Sequence, residues 1–219
     1  MLIELSKISE SNYVGVDIDS YTSRKCKETE TIHGDDWYSP IYLIDGLKKA
    51  GEILDPSCGS GNFLFDLDPA TSEKARDYCK ISKRYFTIET NGLRSPWNEG
   101  DYVYMNPPFH GEVFTEFIKK FVKHQNGILL TFEQASPSTK RLIVPNSELS
   151  LKFGRRIKFY NTDPKAMKSG PMKYSALYAF GEKAAKHLIL AKEFLTEYDP
   201  YIEIHEKGFR LLKKEIEAL

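Results

Sequence analysis

The run Tyr102-Val-Tyr-Met105 alternates aromatic and aliphatic residues as a strand does, and it stops abruptly at Asn106-Pro-Pro-Phe109. Two consecutive prolines cannot continue a ladder, because each lacks an N–H and fixes φ. The chain is therefore held stiffly at a strand end, with the Asn106 side chain and nearby carbonyls presented outward. Upstream stands Asp55-Pro-Ser-Cys-Gly-Ser-Gly61, behind a short apolar run that ends at Ile53-Leu54 and reads as a strand. Its glycines permit positive φ and a sharp turn. Lacking a Cβ, Gly59 and Gly61 let the backbone approach a bound nucleoside closely, and a ligand at the carboxyl end of a sheet is the binding logic of open α/β folds. Each string alone also fits an ordinary turn; their order gives them weight.

In that order they resemble the paired signature of methyltransferases that use S-adenosylmethionine to methylate an exocyclic amino group. The stretch from Trp37 to about Gly181 is similar to the phage-type DNA adenine methyltransferase (Dam) family. Trp37-Tyr-Ser-Pro40 resembles that family's Trp-x-Thr-Pro entry segment, with Ser39 in place of Thr. Leu67-Asp-Pro-Ala70, then Tyr85-Phe-Thr-Ile-Glu-Thr-Asn-Gly-Leu93 and Trp97, resembles the approach to the Asn-Pro-Pro-aromatic motif. Phe153-Gly-Arg-Arg-Ile-Lys-Phe159 and Tyr174-Ser-Ala-Leu-Tyr-Ala-Phe180 resemble the family's last two strands.

The resemblance implies an α/β, Rossmann-like S-adenosylmethionine-dependent methyltransferase fold, with a mostly parallel sheet and one antiparallel strand from the Tyr174–Phe180 region. It implies methyl transfer to the N6 amino group of adenine in DNA. An aromatic amine reacts only if its two N–H protons find acceptors, because its lone pair is otherwise delocalised into the ring. The Asn106 carboxamide oxygen and the Pro107 carbonyl could accept them, Pro108 stiffens the turn, and Phe109 offers a face on which the base can stack. Asp55, Pro56, Cys58, Gly59 and Gly61, with Trp37, Tyr38, Ser39 and Pro40, are expected to hold the cofactor. Its ribose ligand is open: an acidic residue is expected about 20 residues beyond the Gly-rich turn, and Asp66 and Asp68 come too soon. Asp68 or Glu89 is the candidate.

Asn-Pro-Pro-aromatic motifs also occur in enzymes that methylate guanine in RNA or a glutamine side chain in proteins, and a silent nucleic-acid-binding module could keep the fold. Charge bears on this choice. The 219 residues carry no net charge, but between Pro137 and Ser175 nine basic residues face only Glu148 and Asp163. Such a concentration attracts a phosphate backbone. Arg155, Arg156, Lys165, Lys168 and Lys173 are the expected DNA contacts. Neighbouring side chains in a strand point to opposite faces, so at most one of the two arginines should reach DNA while the other pairs with a carboxylate inside the fold.

No apolar stretch reaches the roughly 18 residues of a membrane span and no signal peptide is evident, so no membrane is expected. The three cysteines lack C-x-x-C spacing and the five histidines are scattered, so no metal is expected either. The few cysteines favour a reducing cytoplasm, and the resemblance implies a prokaryotic cell or a phage-infected host. Residues 1–36 read as a strand with an arm, 37–181 as the catalytic domain with a small recognition insertion around 133–173, and 182–219 as terminal helices. Within this plan Ile41–Ala50, Thr71–Cys79 and Val113–His124 read as helices and Gly127–Phe132 as a buried strand. Glu133–Ser147 reads as a long loop, and Glu182–Tyr198 and Ile202–Leu219 as helices broken at Asp199-Pro200.

Overall fold

The computed structural model describes residues 37–87, 89–109, 111–133, 137–160 and 173–209. All of them belong to the second of the two units into which the chain divides, His33–Leu219. Its centre is a seven-stranded sheet in the order β2-β1-β3-β4-β6-β5-β7, a mixed α/β fold. The strands are β1 (Phe65–Asp68), β2 (Ser82–Tyr85), β3 (Val103–Met105), β4 (Gly127–Phe132), β5 (Leu149–Phe153), β6 (Ser175–Phe180) and β7 (Pro200–Ile204). The helices are α1 (Ile41–Leu54), α2 (Glu73–Tyr78), α3 (Gly111–His124), α4 (Pro137–Ile143) and α5 (Glu182–Ala191).

β2, β1, β3 and β4 are mutually parallel. β6 runs antiparallel to both β4 and β5, and β7 antiparallel to β5. Two strands, not one, therefore oppose the rest. The additional one is β7, from a segment whose sequence reads as helix. Along β5 it pairs from Leu149↔Ile204 to Phe153↔Pro200. Tyr201 and Glu203 face solvent while Ile202 and Ile204 are partly covered, so a period of two sits over an apolar spacing that also suits a helix.

The helices pack where the strand alternation sends them. Tyr104, Ile128 and Leu130 face a core shared with Leu43, Leu47 and Leu188 of α1 and α5. Val103, Met105 and Leu129 face Ile118 and Phe121 of α3. In the first core His187 of α5 is fully buried. Its Nε2 lies 2.7 Å from the Leu47 carbonyl and its Nδ1 2.9 Å from the Tyr102 hydroxyl. A carbonyl only accepts, so Nε2 carries the proton and Nδ1 accepts from Tyr102. Burial pulls the His187 pKa down to about 4.

Three further expectations change. Ile53-Leu54 is the last turn of α1, not a strand; Ile53 is exposed, and Pro56 ends the helix. The expected loop 133–147 contains α4 and a 3-10 turn at Val144–Asn146. The expected helix Glu182–Tyr198 ends as α5 at Ala191 and continues in two 3-10 turns. Among the described residues no helix is long and apolar enough to cross a membrane.

Candidate active site

The parallel strands present their carboxyl ends on one edge of the sheet, and Asp68 and Asn106 stand there at the ends of adjacent strands β1 and β3. The entry segment is tied to the same edge by three different contacts. Tyr38 pairs with Tyr160 through backbone bonds of 2.8 and 3.0 Å. The Ser39 hydroxyl lies 2.7 Å from the buried Tyr104 hydroxyl of β3, a bond that either Ser or Thr can make. The Trp37 carbonyl accepts from Asn106 Nδ2 at 3.2 Å. Because a carbonyl cannot donate, that bond fixes the carboxamide with its nitrogen toward Trp37 and its oxygen away. Asn106 Oδ1 is buried with no hydrogen-bond partner among the described residues. A buried acceptor left empty costs about 1–3 kcal/mol, which marks the position as shaped for a donor.

Asp68 is buried, and its Oδ1 accepts from the Ala70 N–H at 3.2 Å. Burial dominates over that bond and one from Thr71, so its pKa rises to about 7. Beyond β2 the chain forms a turn from Thr87 to Ser95. Glu89 is exposed in it, and the Thr87 hydroxyl donates to Glu89 Oε2 at 2.5 Å, which lowers the carboxyl's pKa. At Gly92 an added Cβ would stand 1.8 Å from the Pro69 carbonyl. The turn is therefore pressed against the Asp68-Pro69 corner, and only glycine allows that approach.

Phe109 is half-buried in an aromatic group, with ring centroids 4.3 Å from Phe132, 6.1 Å from Phe114 and 6.3 Å from Phe159. Pro107 is buried and Pro108 partly so. Lys173 Nζ lies 5.4 Å from the centroid of Phe132.

The Gly-rich string lies at the other end of β1. It follows α1 and precedes β1, so it sits on the amino edge of the sheet, while Asp68 and Asn106 occupy the carboxyl edge. The expectation that Asp55, Pro56, Cys58, Gly59 and Gly61 join Trp37–Pro40 in one pocket does not match this geometry. The Asp55 carboxylate caps its own turn, accepting from Ser57 N at 3.2 Å and Ser57 Oγ at 2.5 Å. Half-buried Cys58 bonds the Asp55 carbonyl through its thiol. Gly59 and Gly61 both have φ of 76°, yet a Cβ at Gly61 would meet nothing within 4 Å. The glycines answer the turn's own backbone, not a close neighbour. The Gly61 N–H donates to Glu52 Oε1 at 2.7 Å.

Asp68, by contrast, closes the first strand, and the Asp68-Pro69-Ala70 corner follows it at the carboxyl edge. Counted from it, Glu89 falls about 20 residues on, just past the neighbouring strand β2. That spacing was legible in the sequence.

Arg155 and Arg156 come after β5 has ended at Phe153, and both are exposed. The expected split, one inward and one outward, is not seen, because strand alternation has already lapsed. The Arg156 guanidinium lies 5.4 Å from the Tyr174 ring centroid. Lys152, another member of the basic stretch, pairs with Glu133 at 3.2 Å and with Glu203. Lys165 and Lys168 lie outside the described residues. Among the described residues no group of three His, Cys, Asp or Glu side chains could hold a metal ion.

Residues 27–191 match the family model described as DNA N-6-adenine-methyltransferase (Dam). No curated protein matches the chain. The matched stretch covers well over half of the chain and includes Trp37–Pro40, Asp68, Glu89 and Asn106–Phe109; the chain belongs to this family.

Proposed function

We propose that this member of the DNA N-6-adenine-methyltransferase family transfers a methyl group from S-adenosylmethionine to the N6 amino group of adenine at a specific site in DNA. The reading rests chiefly on Asn106, whose carboxamide oxygen is a buried, oriented acceptor at the end of β3 with no partner among the described residues. A target adenine must leave the helical stack for its N6 to be reached. Asn106 Oδ1 and the Pro107 carbonyl then accept the two N6 protons, which withdraws the nitrogen lone pair from the ring. Phe109, its plane set by contact with Phe132, supports the extruded base. Positioning supplies most of the acceleration, and the N6 proton is released to water after the new bond has placed positive charge on nitrogen.

The cofactor is assigned to the carboxyl edge. S-adenosylmethionine supplies a methyl carbon on a sulfonium, a leaving group that needs no protein acid. Asp68 and the Trp37–Pro40 segment hold it beside Asn106, and Glu89 accepts from the ribose hydroxyls. This Rossmann-like reading replaces Asp55–Gly61 as the cofactor loop. Arg155, Arg156, Lys173 and, in sequence, Lys165 and Lys168 are the proposed DNA contacts, with arginine suited to bidentate recognition and lysine to phosphate.

The test uses tritiated cofactor with duplex DNA, RNA or protein, followed by digestion of the product to nucleosides or amino acids. N6-methyl-2′-deoxyadenosine from DNA is expected; methylguanosine from RNA or methylglutamine from protein defeats the reading. Asn106→Ala should lower turnover at least roughly a hundredfold, the scale of losing an oriented polar group at a reacting centre, while cofactor binding stays near that of the parent. Substantial residual methylation in that variant contradicts the role given to Asn106.

A further inference from the structure

The turn that carries Glu89 is held by a side chain from the other side of the molecule's catalytic motif. Lys120 of α3 sends its ammonium to three backbone carbonyls of that turn, Gly92 at 3.0 Å, Leu93 at 2.7 Å and Ser95 at 2.7 Å. An ammonium has three N–H donors, so this cluster uses all of them. The Trp97 ring centroid lies 4.9 Å from Nζ, and Trp97 Nε1 donates to the same Gly92 carbonyl at 2.9 Å. The three carbonyls turn inward toward one cation, which curls the segment and brings Gly92 against Pro69. Local bonds complete the curl: Ser95 Oγ to the Thr90 carbonyl at 2.7 Å, and the Thr87 N–H to Thr90 Oγ1 at 2.7 Å.

α3 begins directly after the Asn-Pro-Pro-Phe segment. Lys120 thus connects the element behind the base-holding residues to the turn behind the ribose-holding residue. A turn with these carbonyls released would keep its sequence and lose the cation that gathers the Gly92, Leu93 and Ser95 carbonyls.

We infer that Lys120 is a positioning residue for cofactor recognition: by gathering the Gly92, Leu93 and Ser95 carbonyls on one ammonium it places Glu89 for the ribose hydroxyls. This rests on the reading of Glu89 as the ribose acceptor, and the test separates the two. Calorimetry compares S-adenosylhomocysteine with its 2′-deoxyribose counterpart on the full chain. The parent should prefer the intact ribose by about tenfold, the value of one hydrogen bond to a charged group. Glu89→Gln should reduce that preference to about threefold or less, and Lys120→Met should do the same with Glu89 intact. In turnover assays Lys120→Met should raise the KM for cofactor while kcat at saturation changes little, the reverse of Asn106→Ala. Lys120→Arg, which retains charge and donors, should restore part of the preference.

If Glu89→Gln loses the preference and Lys120→Met keeps it, the positioning role is overturned while the ribose reading stands. If Glu89→Gln itself keeps the parent's preference, the ribose reading falls and the inference falls with it. Should Lys120→Met not fold, Lys120→Gln serves: a shorter neutral donor should give an intermediate preference, and a preference equal to the parent's overturns the role.

Discussion

Two buried titrating side chains pull stability in opposite directions over the same range of pH. Asp68 has a folded pKa of about 7 against an ordinary 3.8. The folded state therefore binds the extra proton between those values, and Asp68 costs stability as pH rises from about 4 to 7, by up to roughly 4 kcal/mol. For His187 the folded pKa is about 4 against 6.5. Here the unfolded chain binds the extra proton, so stability falls as pH drops from 6.5 toward 4, by up to about 3 kcal/mol. The parent's profile should be flatter than either group would give alone. Thermal melts of single variants expose each contribution: Asp68→Asn should raise Tm at pH 8, and His187→Gln should weaken the fall in Tm below pH 6.5. A lower Tm for Asp68→Asn at pH 8 would mean that its carboxylate is not strained by burial. The same Asp68→Asn variant should bind cofactor less tightly, whereas Gly61→Trp, at the opposite edge and open to solvent, should bind it as the parent does. Loss of binding in Gly61→Trp alone would return the cofactor to the Gly-rich turn.

Elements differed in how plainly they could be read. β3 and β4 were evident from apolar runs closed by breakers, and α3 from its apolar period. β1 was hidden because two of its four residues are aspartates. The structure explains why they are tolerated: Asp66 accepts from Tyr102 N at 3.0 Å and pairs with Lys83 at 2.8 Å, while Asp68 caps the following corner. No local pattern reveals partners as distant in sequence as Lys83 and Tyr102. The Gly-rich string misled for a related reason, since a positive φ looks alike in a ligand loop and in a helix-to-strand turn. β7 was missed because its pairing partner, not its composition, decides it. That last strand leads into 206–209, where Lys207 pairs with buried Glu148 at 2.7 Å and also reaches the Asn146 carbonyl at 3.1 Å. Glu148 Oε2 in turn accepts from the Gly181 N–H ahead of α5. Lys207→Met should destabilise the chain by about 1–3 kcal/mol, because it leaves the buried Glu148 carboxylate with only the Gly181 N–H of these two partners. Chemical denaturation measures this, and a change below 1 kcal/mol would show that Glu148 finds water or another donor.

At the scale of the whole molecule, the net charge of zero hides a basic surface reduced in part by internal pairing, since Lys152 is spent on Glu133 and Glu203. Replacing Lys165, Lys168 and Lys173 together by Gln should weaken binding to all DNA sequences alike and flatten its dependence on salt. Binding equal to the parent's at every ionic strength would move the docking surface elsewhere. The recognition sequence would then have to be sought on another face.

Asp68 and Asn106 end strands that are immediate neighbours in the sheet, and neighbouring strands stand about 4.8 Å apart whatever the loops do. In the proposed reaction the spacing between the cofactor side and the base side is thus a lattice constant of the sheet, independent of the loops that follow the strands. Under the proposed function, changes confined to the loops beyond the strand ends leave that spacing untouched, so the parallel strands act as a chassis on which those loops can be rebuilt.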